Sequence, residues 1–153
     1  YRRQYASHRE PLPGLLQGLE QAHSMNLPMA IASASSPENI SFILDDLDLR
    51  RHFKAVVSGH DIQHGKPNPE IFLKSAEAMG VKPSECLVFE DALNGVEAAS
   101  RAGMDAVFLS TTIEAQKVAG LSHVLQVMPD FTHLDLPKLM DQSENSQAHS
   151  TRG

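Results

Sequence analysis

The sequence has few of the residues that mark several common kinds of protein. It contains no tryptophan and one cysteine, and aromatic residues make up only 5% of its 153 positions. The single cysteine, Cys86, has no partner within the chain, which excludes an internal disulfide and favours a reducing compartment. Because Cys86 lies in an apolar run, we interpret it as a small core residue.

Positive charge and long apolar runs are also scarce. The net charge is −6, the pI is near 5.7 and no run of lysine or arginine occurs, so we expect no nucleic-acid partner. No apolar run approaches membrane-spanning length and no signal peptide is recognisable, so we expect no membrane partner and a cytoplasmic location. The first residue is Tyr1 rather than methionine, and we expect the chain to be a segment of a longer protein.

Signatures of several catalytic classes are missing. The chain has neither the Gly-x-Ser-x-Gly nucleophile elbow nor the Gly-x-Gly-x-x-Gly dinucleotide fingerprint. The stretch 59–66 superficially suggests a phosphate loop, but its glycines are one residue too far apart. Pro67 also stands where that loop needs serine or threonine. The eight histidines show no close metal-ligand pairing, so we expect no zinc site.

The sequence does contain an alternation of short apolar runs with amphipathic segments. This alternation predicts βαβ units with right-handed crossovers and a mainly parallel sheet, which is an α/β fold. The predicted strands lie at 28–32, 53–57, 86–89, 105–109 and 123–127. The predicted helices lie at 13–26, 36–47, 68–80, 94–103, 111–119 and 134–140.

The stretch 86–103, CLVFEDALNGVEAASRAG, combines a strand, two acids and a helix. Its apolar run ends in two adjacent carboxylates, Glu90 and Asp91. Asn94 with Glu97 three positions later predicts a helix start of the capping-box type, and Gly103 predicts the end of that helix. By themselves, two acids in such a place more often form a solvated turn.

Polar residues follow three of the predicted strands. Ser33 follows the first strand, Lys66 lies in the loop after the second, and Glu90 and Asp91 follow the third. The carboxyl ends of parallel strands share one edge of a sheet, so these residues converge there. A hydroxyl with neighbouring backbone N–H groups and a lysine can hold phosphate oxygens, and carboxylates can hold Mg²⁺. Taken singly, Ser33 is typical of a turn and Lys66 of a solvated loop.

Three motifs occur in order along the chain: IASAS (31–35), GKPNPEIF (65–72) and VFEDALNGVEAASRAG (88–103). Together they resemble the haloacid dehalogenase-like hydrolases, and within that superfamily the beta-phosphoglucomutase-like and sugar-phosphate phosphatase group. The resemblance implies a Rossmann-like three-layer α/β/α core. It also implies a Mg²⁺-dependent phosphatase or phosphomutase that acts on a small phosphorylated metabolite such as a sugar phosphate.

The resemblance implies which residues bind phosphate. Ser33 matches the second family motif, whose hydroxyl binds the transferring phosphoryl group, with the Ala34 amide nearby. Lys66 matches the third motif, the lysine that pairs with the nucleophilic aspartate and the phosphate. Asn94 stands where relatives often carry a polar residue, and it is a further candidate for phosphate binding. Ser33 and Lys66 are therefore the expected catalytic residues of this chain.

The resemblance also implies an incomplete metal site. Glu90 and Asp91 match the fourth motif, whose acids bind Mg²⁺ directly or through water. The first motif, Asp-x-Asp-Gly-[Thr/Val], supplies the nucleophile, the acid/base and further metal ligands, and it is absent from the chain. Asp46 and Asp48 have the Asp-x-Asp spacing, but Leu49 replaces the glycine. We therefore expect this chain by itself to be catalytically inactive.

The missing motif sets the expected domain boundaries. In relatives it begins the core domain, ahead of an inserted helical cap. Residues 1–10 would then be the end of the cap or its linker, residues 11–141 a partial core domain, and the polar residues 142–153 a disordered tail. The sheet would lack its first strand, which in relatives lies between the strands ending at Ser33 and Glu90. Those two strands would pair directly or leave backbone groups unpaired.

The sequence leaves other functions open. The chain could be a non-catalytic pseudoenzyme or a regulatory binding module with the same fold, if its gene encodes no upstream Asp-x-Asp-Gly. A receiver-type regulator needs an aspartate at the end of its middle strand, where Val57, Ser58 and Gly59 offer none. A nucleotide-binding protein has no support from a phosphate-loop or dinucleotide signature.

Overall fold

A computed structural model describes residues 11–110, 115–118 and 120–150. The predicted cap end or linker, residues 1–10, lies outside the described residues, as do 111–114 and 119 of one predicted helix. The strands are β1 (Ala30–Ala32), β2 (Ala55–Val57), β3 (Leu87–Glu90), β4 (Asp105–Leu109) and β5 (Val124–Met128). The helices are α1 (Leu15–Ser24), α2 (Pro37–Asp46), α3 (Glu70–Met79), α4 (Leu93–Arg101), α5 (Ala115–Val118) and α6 (Leu136–Ser150).

The strands form two parallel sheets, which confirms the predicted α/β class. β1 pairs with β2, and β3, β4 and β5 form the second sheet in that order. Each connection between paired strands contains a helix, because parallel neighbours need a long crossover. α5 is a short helix of one turn. None of the described helices is long and apolar enough to cross a membrane.

β1 and β3 belong to different sheets and are not paired with each other. In the described part of the chain, β1 pairs only with β2 and β3 only with β4, so one edge of each strand has no strand partner. Of the two arrangements that the sequence left open, the structure therefore has the one in which these strands stay apart. One cluster of buried residues still joins the sheets, and it runs from Val57 of β2 to Val88 of β3.

β4 is the central strand of the larger sheet, and all five of its residues are buried. Successive side chains of a strand point to opposite faces. Ala106 and Phe108 pack against α4, whereas Val107 and Leu109 pack against Leu139 of α6. The sheet is therefore covered by helices on both faces, which is the expected three-layer arrangement.

Two helix ends follow the sequence signals. Ser36 caps α2, because its Oγ accepts a hydrogen bond from the N–H of Asn39 at 3.3 Å, and Pro37 is the first helical residue. α3 ends at Met79, and its C-cap residue Gly80 has a φ of 72°, in the left-handed region that glycine adopts without strain.

The start of α1 differs from the prediction. The helix begins at Leu15 after Gly14, so Pro13 is not its first helical residue. The physical reason is a contact with a later loop: the N–H of Phe131 donates to the Pro13 carbonyl at 2.9 Å. Gly14 has a φ of 81°, and any side chain at this position would overlap the backbone of Phe131.

The predicted capping box at Asn94 is wrong. α4 begins one residue earlier, at Leu93, and its N-cap residue Ala92 offers no side-chain hydrogen bond. Asn94 is therefore an exposed residue within the first turn of α4. Glu97 instead accepts a hydrogen bond from Arg101, four positions later on the same helix, at 2.7 Å.

The C-terminal helix corrects the predicted disordered tail. α6 extends to Ser150, so residues 142–150 are helical, and 151–153 lie outside the described residues. The Oγ atoms of Ser143 and Ser146 donate hydrogen bonds to the Asp105 carboxylate at 2.8 and 3.2 Å. Asp105 is only 2% exposed, and a buried carboxylate needs such partners. These polar contacts hold a helix that has no apolar periodicity at its end.

Candidate active site

The carboxyl ends of β1 and β3 are linked by one lysine. The Lys66 Nζ donates a hydrogen bond to Glu90 Oε2 at 2.9 Å and another to the Ala32 carbonyl at 3.4 Å. Ala32 is the last residue of β1, and Glu90 is the last residue of β3. Lys66 therefore spans the gap between the two sheets at the edge where ligands bind in open α/β folds.

The ion pair between Lys66 and Glu90 is largely removed from solvent. The two side chains are 15% and 11% exposed, respectively. The Lys66 Nζ also lies 5.0 Å from the ring centroid of Phe72, within the range of a cation–π contact. Water screens such a pair less than it screens a surface pair. Lys66 is therefore a fixed charge at the sheet edge rather than a solvated loop lysine.

Glu90 is held on both of its carboxylate oxygens. Lys66 donates to Oε2, and the N–H of Asp91 donates to Oε1 at 3.3 Å. The carboxylate lies against Gly95 in the first turn of α4, where any side chain would overlap the carboxyl group. A glycine inside this helix therefore makes room for Glu90. Asp91 is the next residue along the chain, and it is exposed at the same edge.

Ser33 lies directly after β1 and begins a tight turn. Its N–H donates to the Val57 carbonyl at 3.0 Å, and its Oγ accepts a hydrogen bond from the N–H of Ser35 at 3.2 Å. Gly59 packs against the same turn, and a side chain there would overlap the Ala34 carbonyl oxygen. Ser33 is thus a turn serine, and the turn lies at the edge that carries Lys66 and Glu90. Ala34 is exposed within it.

The loop that carries Lys66 is held by Glu70. The N–H of Gln63 donates to Glu70 Oε1 at 2.8 Å, and the N–H of His64 donates to Oε2 at 3.1 Å. The Gln63 hydrogen bond, followed by those from the His64 side chain and N–H, lowers the pKa of Glu70 to about 2. Glu70 is therefore ionised across the physiological pH range.

Three residues of this site were missed by sequence reasoning. Phe72 lies on the buried face of α3, and nothing in the sequence indicated that its ring lies against a lysine. A lone glycine in a helical pattern often marks close packing, and this signal could have identified Gly95. An acid in the first turn of a helix is ordinarily attributed to the helix dipole, so nothing in the pattern indicated that Glu70 binds the preceding loop.

Glu90 and Asp91 are the candidates for holding a divalent cation. Carboxylate oxygens are the hard ligands that Mg²⁺ prefers, so the two side chains fit that ion chemically. Within the described residues, no group of three or more histidine, cysteine, aspartate or glutamate side chains is arranged to hold a metal ion. The described chain therefore offers two acidic ligands and needs further oxygen ligands from elsewhere.

Comparison with known proteins gives one family and several relatives. Residues 1–103 match the haloacid dehalogenase-like hydrolases. Fructose-1-phosphate phosphatase YqaB of Escherichia coli is 45% identical over 98 residues, which are 64% of this chain and 51% of the relative. The phosphorylated carbohydrates phosphatase of Thermotoga maritima is 36% identical over 96 residues, which are 63% of this chain and 44% of the relative.

The solved structures add a likeness in fold. The crystal structure of beta-phosphoglucomutase from Clostridium difficile matches with a TM-score of 0.76 at 26% sequence identity. The match covers 90% of this chain and 58% of that protein. The chain thus spans about half the length of the curated relatives above and somewhat more of this structure.

Proposed function

This chain belongs to the haloacid dehalogenase-like hydrolases, and we propose that it is the larger part of the core domain of a sugar-phosphate phosphatase. The observation that carries the proposal is the contact of Lys66 with the ends of both β1 and β3. A fixed ammonium at the ligand-binding edge of a parallel sheet suits a phosphoryl group. The names of the two phosphatases similar to this chain support a phosphorylated carbohydrate as the substrate.

In this proposal the polar residues of the edge bind the phosphoryl group. The Ser33 hydroxyl, the Ala34 N–H and the Asn94 side chain donate hydrogen bonds to its oxygens, and Lys66 offsets its negative charge. Phosphoryl transfer depends chiefly on such alignment and charge neutralisation, since the transition state spreads charge over the phosphate oxygens. The ion pair with Glu90 fixes the direction of the lysine before substrate arrives.

Glu90 and Asp91 are the proposed Mg²⁺ ligands. When bound, the ion would neutralise charge on the transferring phosphoryl group. Glu90 is already oriented by Lys66 and by the N–H of Asp91, so its carboxylate is fixed at the edge. Two carboxylates leave most of an octahedral shell to be completed by water, substrate and other residues. We therefore expect Mg²⁺ to bind the 153-residue chain weakly.

The gap between β1 and β3 is the proposed place of the missing nucleophile. Each strand has one edge without a strand partner in the described residues, and Lys66 crosses between their carboxyl ends. A strand inserted there in parallel would end beside Lys66. The Asp-x-Asp-Gly motif of the family, absent from these 153 residues, would suit that position. We expect the chain without this strand to be inactive toward phosphate esters.

The test uses the protein encoded by the full open reading frame and, separately, the 153-residue chain. Both are incubated with fructose 1-phosphate, beta-glucose 1-phosphate and a wider set of phosphate esters, with Mg²⁺ or with EDTA. Phosphate release and isomerisation of the sugar phosphate are measured. The proposal expects Mg²⁺-dependent phosphate release from the full protein alone. Isomerisation without release would indicate a mutase, and no phosphoryl transfer with any ester would contradict the proposal.

The second candidate is a non-catalytic protein of the same fold. It is favoured by the absence of the Asp-x-Asp-Gly motif from the chain. The coding sequence upstream of Tyr1 decides between the candidates, since an in-frame Asp-x-Asp-Gly removes this one. A cytoplasmic location also remains a prediction, which rests on the single cysteine.

A further inference from the structure

We propose that Glu70 is a positioning residue that acts through Lys66, an inference that rests on the function proposed above. Glu70 is the first residue of α3, and its side chain reaches back to the loop that precedes the helix. It touches neither Ala32 nor Glu90 in any described contact, so its effect on the site passes through the lysine loop.

Glu70 fixes the loop on the N-terminal side of Lys66. One carboxylate oxygen accepts the N–H of Gln63 at 2.8 Å, and the other accepts the N–H of His64 at 3.1 Å. These two residues immediately precede Gly65 and Lys66 in the chain. Both oxygens of the carboxylate are thus used as acceptors for adjacent backbone donors, an arrangement that a neutral amide side chain cannot reproduce because it has one acceptor oxygen.

The C-terminal side of Lys66 is fixed by the same helix start. The N–H of Asn68 donates to the Gly65 carbonyl at 3.0 Å, which closes a turn around the lysine. The Asn68 Oδ1 in turn accepts the N–H of Glu70 at 3.0 Å. Lys66 is therefore held between two points that both lead to the first residue of α3.

α3 also supplies the surface on which the lysine lies. Phe72 is two residues after Glu70, is 5% exposed, and places its ring 5.0 Å from the Lys66 Nζ. The helix thus sets the backbone of the loop through Glu70 and the side-chain path through Phe72. The ammonium can then reach Glu90 and Ala32, and a shift of the loop would break both contacts.

A different role for Glu70 is simple stabilisation of α3. An acid in the first turn of a helix interacts favourably with the exposed N–H groups there, and Lys74, one turn later, lies 3.5 Å from Glu70 Oε1. If Glu70 had only that role, removing its carboxylate would lower the free energy of unfolding without any specific effect on Lys66. The two roles are separated by labelling a lysine and a cysteine in the same molecule.

The first experiment acetylates the 153-residue chain under limiting reagent and measures modification of each lysine by mass spectrometry. Cys86, which is buried in the core, is alkylated in parallel and reports opening of the whole domain. We expect Glu70→Gln to raise the modification rate of Lys66 roughly tenfold, the factor for losing one charge-assisted hydrogen bond, with Cys86 unchanged. Glu77→Gln, an exposed substitution on the same helix, serves as the control and should leave both rates unchanged.

The second experiment is a double-mutant cycle in the protein from the full open reading frame. If Glu70 acts through Lys66, Glu70→Gln lowers kcat/KM when Lys66 is present. The same substitution has no further effect in a protein that already carries Lys66→Met. Equal effects in both backgrounds would overturn the inference, as would parallel increases in Lys66 and Cys86 labelling or no change in either. Should the wild type transfer no phosphate, the proposed function fails, and the labelling result still decides whether Glu70 positions Lys66.

Discussion

At the scale of single residues, the candidate site depends on one lysine. This lysine contacts two strands that are not hydrogen-bonded to each other. Lys66 contacts the ends of β1 and β3, and its partner Glu90 fits only because Gly95 lacks a side chain. The positions that orient this pair are therefore as important as the pair itself. Two predictions follow from the space around Glu90 and from the charge of Glu70.

The substitution Gly95→Ala should displace the Glu90 carboxylate. Alanine favours helices, so the cost comes from overlap with Glu90, and we expect a loss of about 1–3 kcal/mol in the free energy of unfolding. Urea unfolding of the 153-residue chain measures this quantity. Gly65→Ala is the matched control, because a Cβ at Gly65 has no atom within 4 Å. Equal stability of Gly95→Ala and wild type would contradict the expected loss.

The lowered pKa of Glu70 predicts a loss of stability in acid. Its pKa is about 2 in the folded chain, below the ordinary value of 4.5, chiefly because the N–H of Gln63 donates to the carboxylate. The ionised Glu70 carboxylate therefore contributes fully to the stability of the fold above pH 4.5, and this contribution is lost as the pH falls toward 2. His64 and Lys74 face the same carboxylate and favour its ionised form.

The measurement is the urea midpoint of wild type and Glu70→Gln as a function of pH. We expect the difference between them to be constant above about pH 5 and to shrink as the pH falls toward 2, where Glu70 becomes protonated in both states. A difference that is independent of pH over this window would contradict the assigned pKa. Glu77→Gln again provides an exposed control on the same helix.

At the scale of elements, the strands and helices of the βαβ units were predictable because each has a strong local signal. β4 contains the apolar run 106–109, α2 begins at Pro37 after the cap residue Ser36, and α3 is followed by a glycine. The end of α6 was not predictable, because its contacts are polar and reach back to Asp105, which is 38 residues before Ser143. Such long-range hydrogen bonds leave no periodicity in the sequence.

The residues of the candidate site also divide into those that the sequence predicts and those that it does not. Ser33, Lys66, Glu90 and Asp91 could be placed at one sheet edge because parallel strands all end there. The residues that orient them could not, since Glu70 and Gly95 act through the geometry of a loop and of a helix surface. Asn94 was misassigned as a cap because the true N-cap residue, Ala92, carries no capping side chain.

The contact of α6 with Asp105 gives a prediction at this scale. Removing both donors by Ser143→Ala with Ser146→Ala leaves the buried carboxylate without these hydrogen bonds, and we expect a loss of roughly 3 kcal/mol in the free energy of unfolding. Circular dichroism during urea unfolding measures the loss and the helix content. Ser100→Ala, at an exposed position of α4, should change stability by less than about 0.5 kcal/mol. Unchanged stability of the double variant would mean that these bonds do not hold α6.

At the scale of the whole molecule, the chain has a core that joins two sheets and a gap between them at the strand ends. The core is continuous across the gap, since buried residues of β2 and β3 belong to one cluster. Within the described residues, one edge of β1 and one edge of β3 have no strand partner. These edges and the lysine between them lie where a further parallel strand would fit. The central claim is that phosphoryl transfer occurs at this edge and requires Lys66.

The most direct test is kcat/KM for Mg²⁺-dependent hydrolysis of a sugar phosphate by the protein from the full open reading frame. Lys66→Met is compared with wild type and with Lys138→Met, which removes an exposed lysine of α6. We predict that Lys66→Met lowers kcat/KM by roughly 100-fold or more, the usual effect of losing one group that stabilises transition-state charge. Lys138→Met should match wild type. A Lys66→Met protein that retains wild-type activity would contradict the claim that this edge carries the reaction.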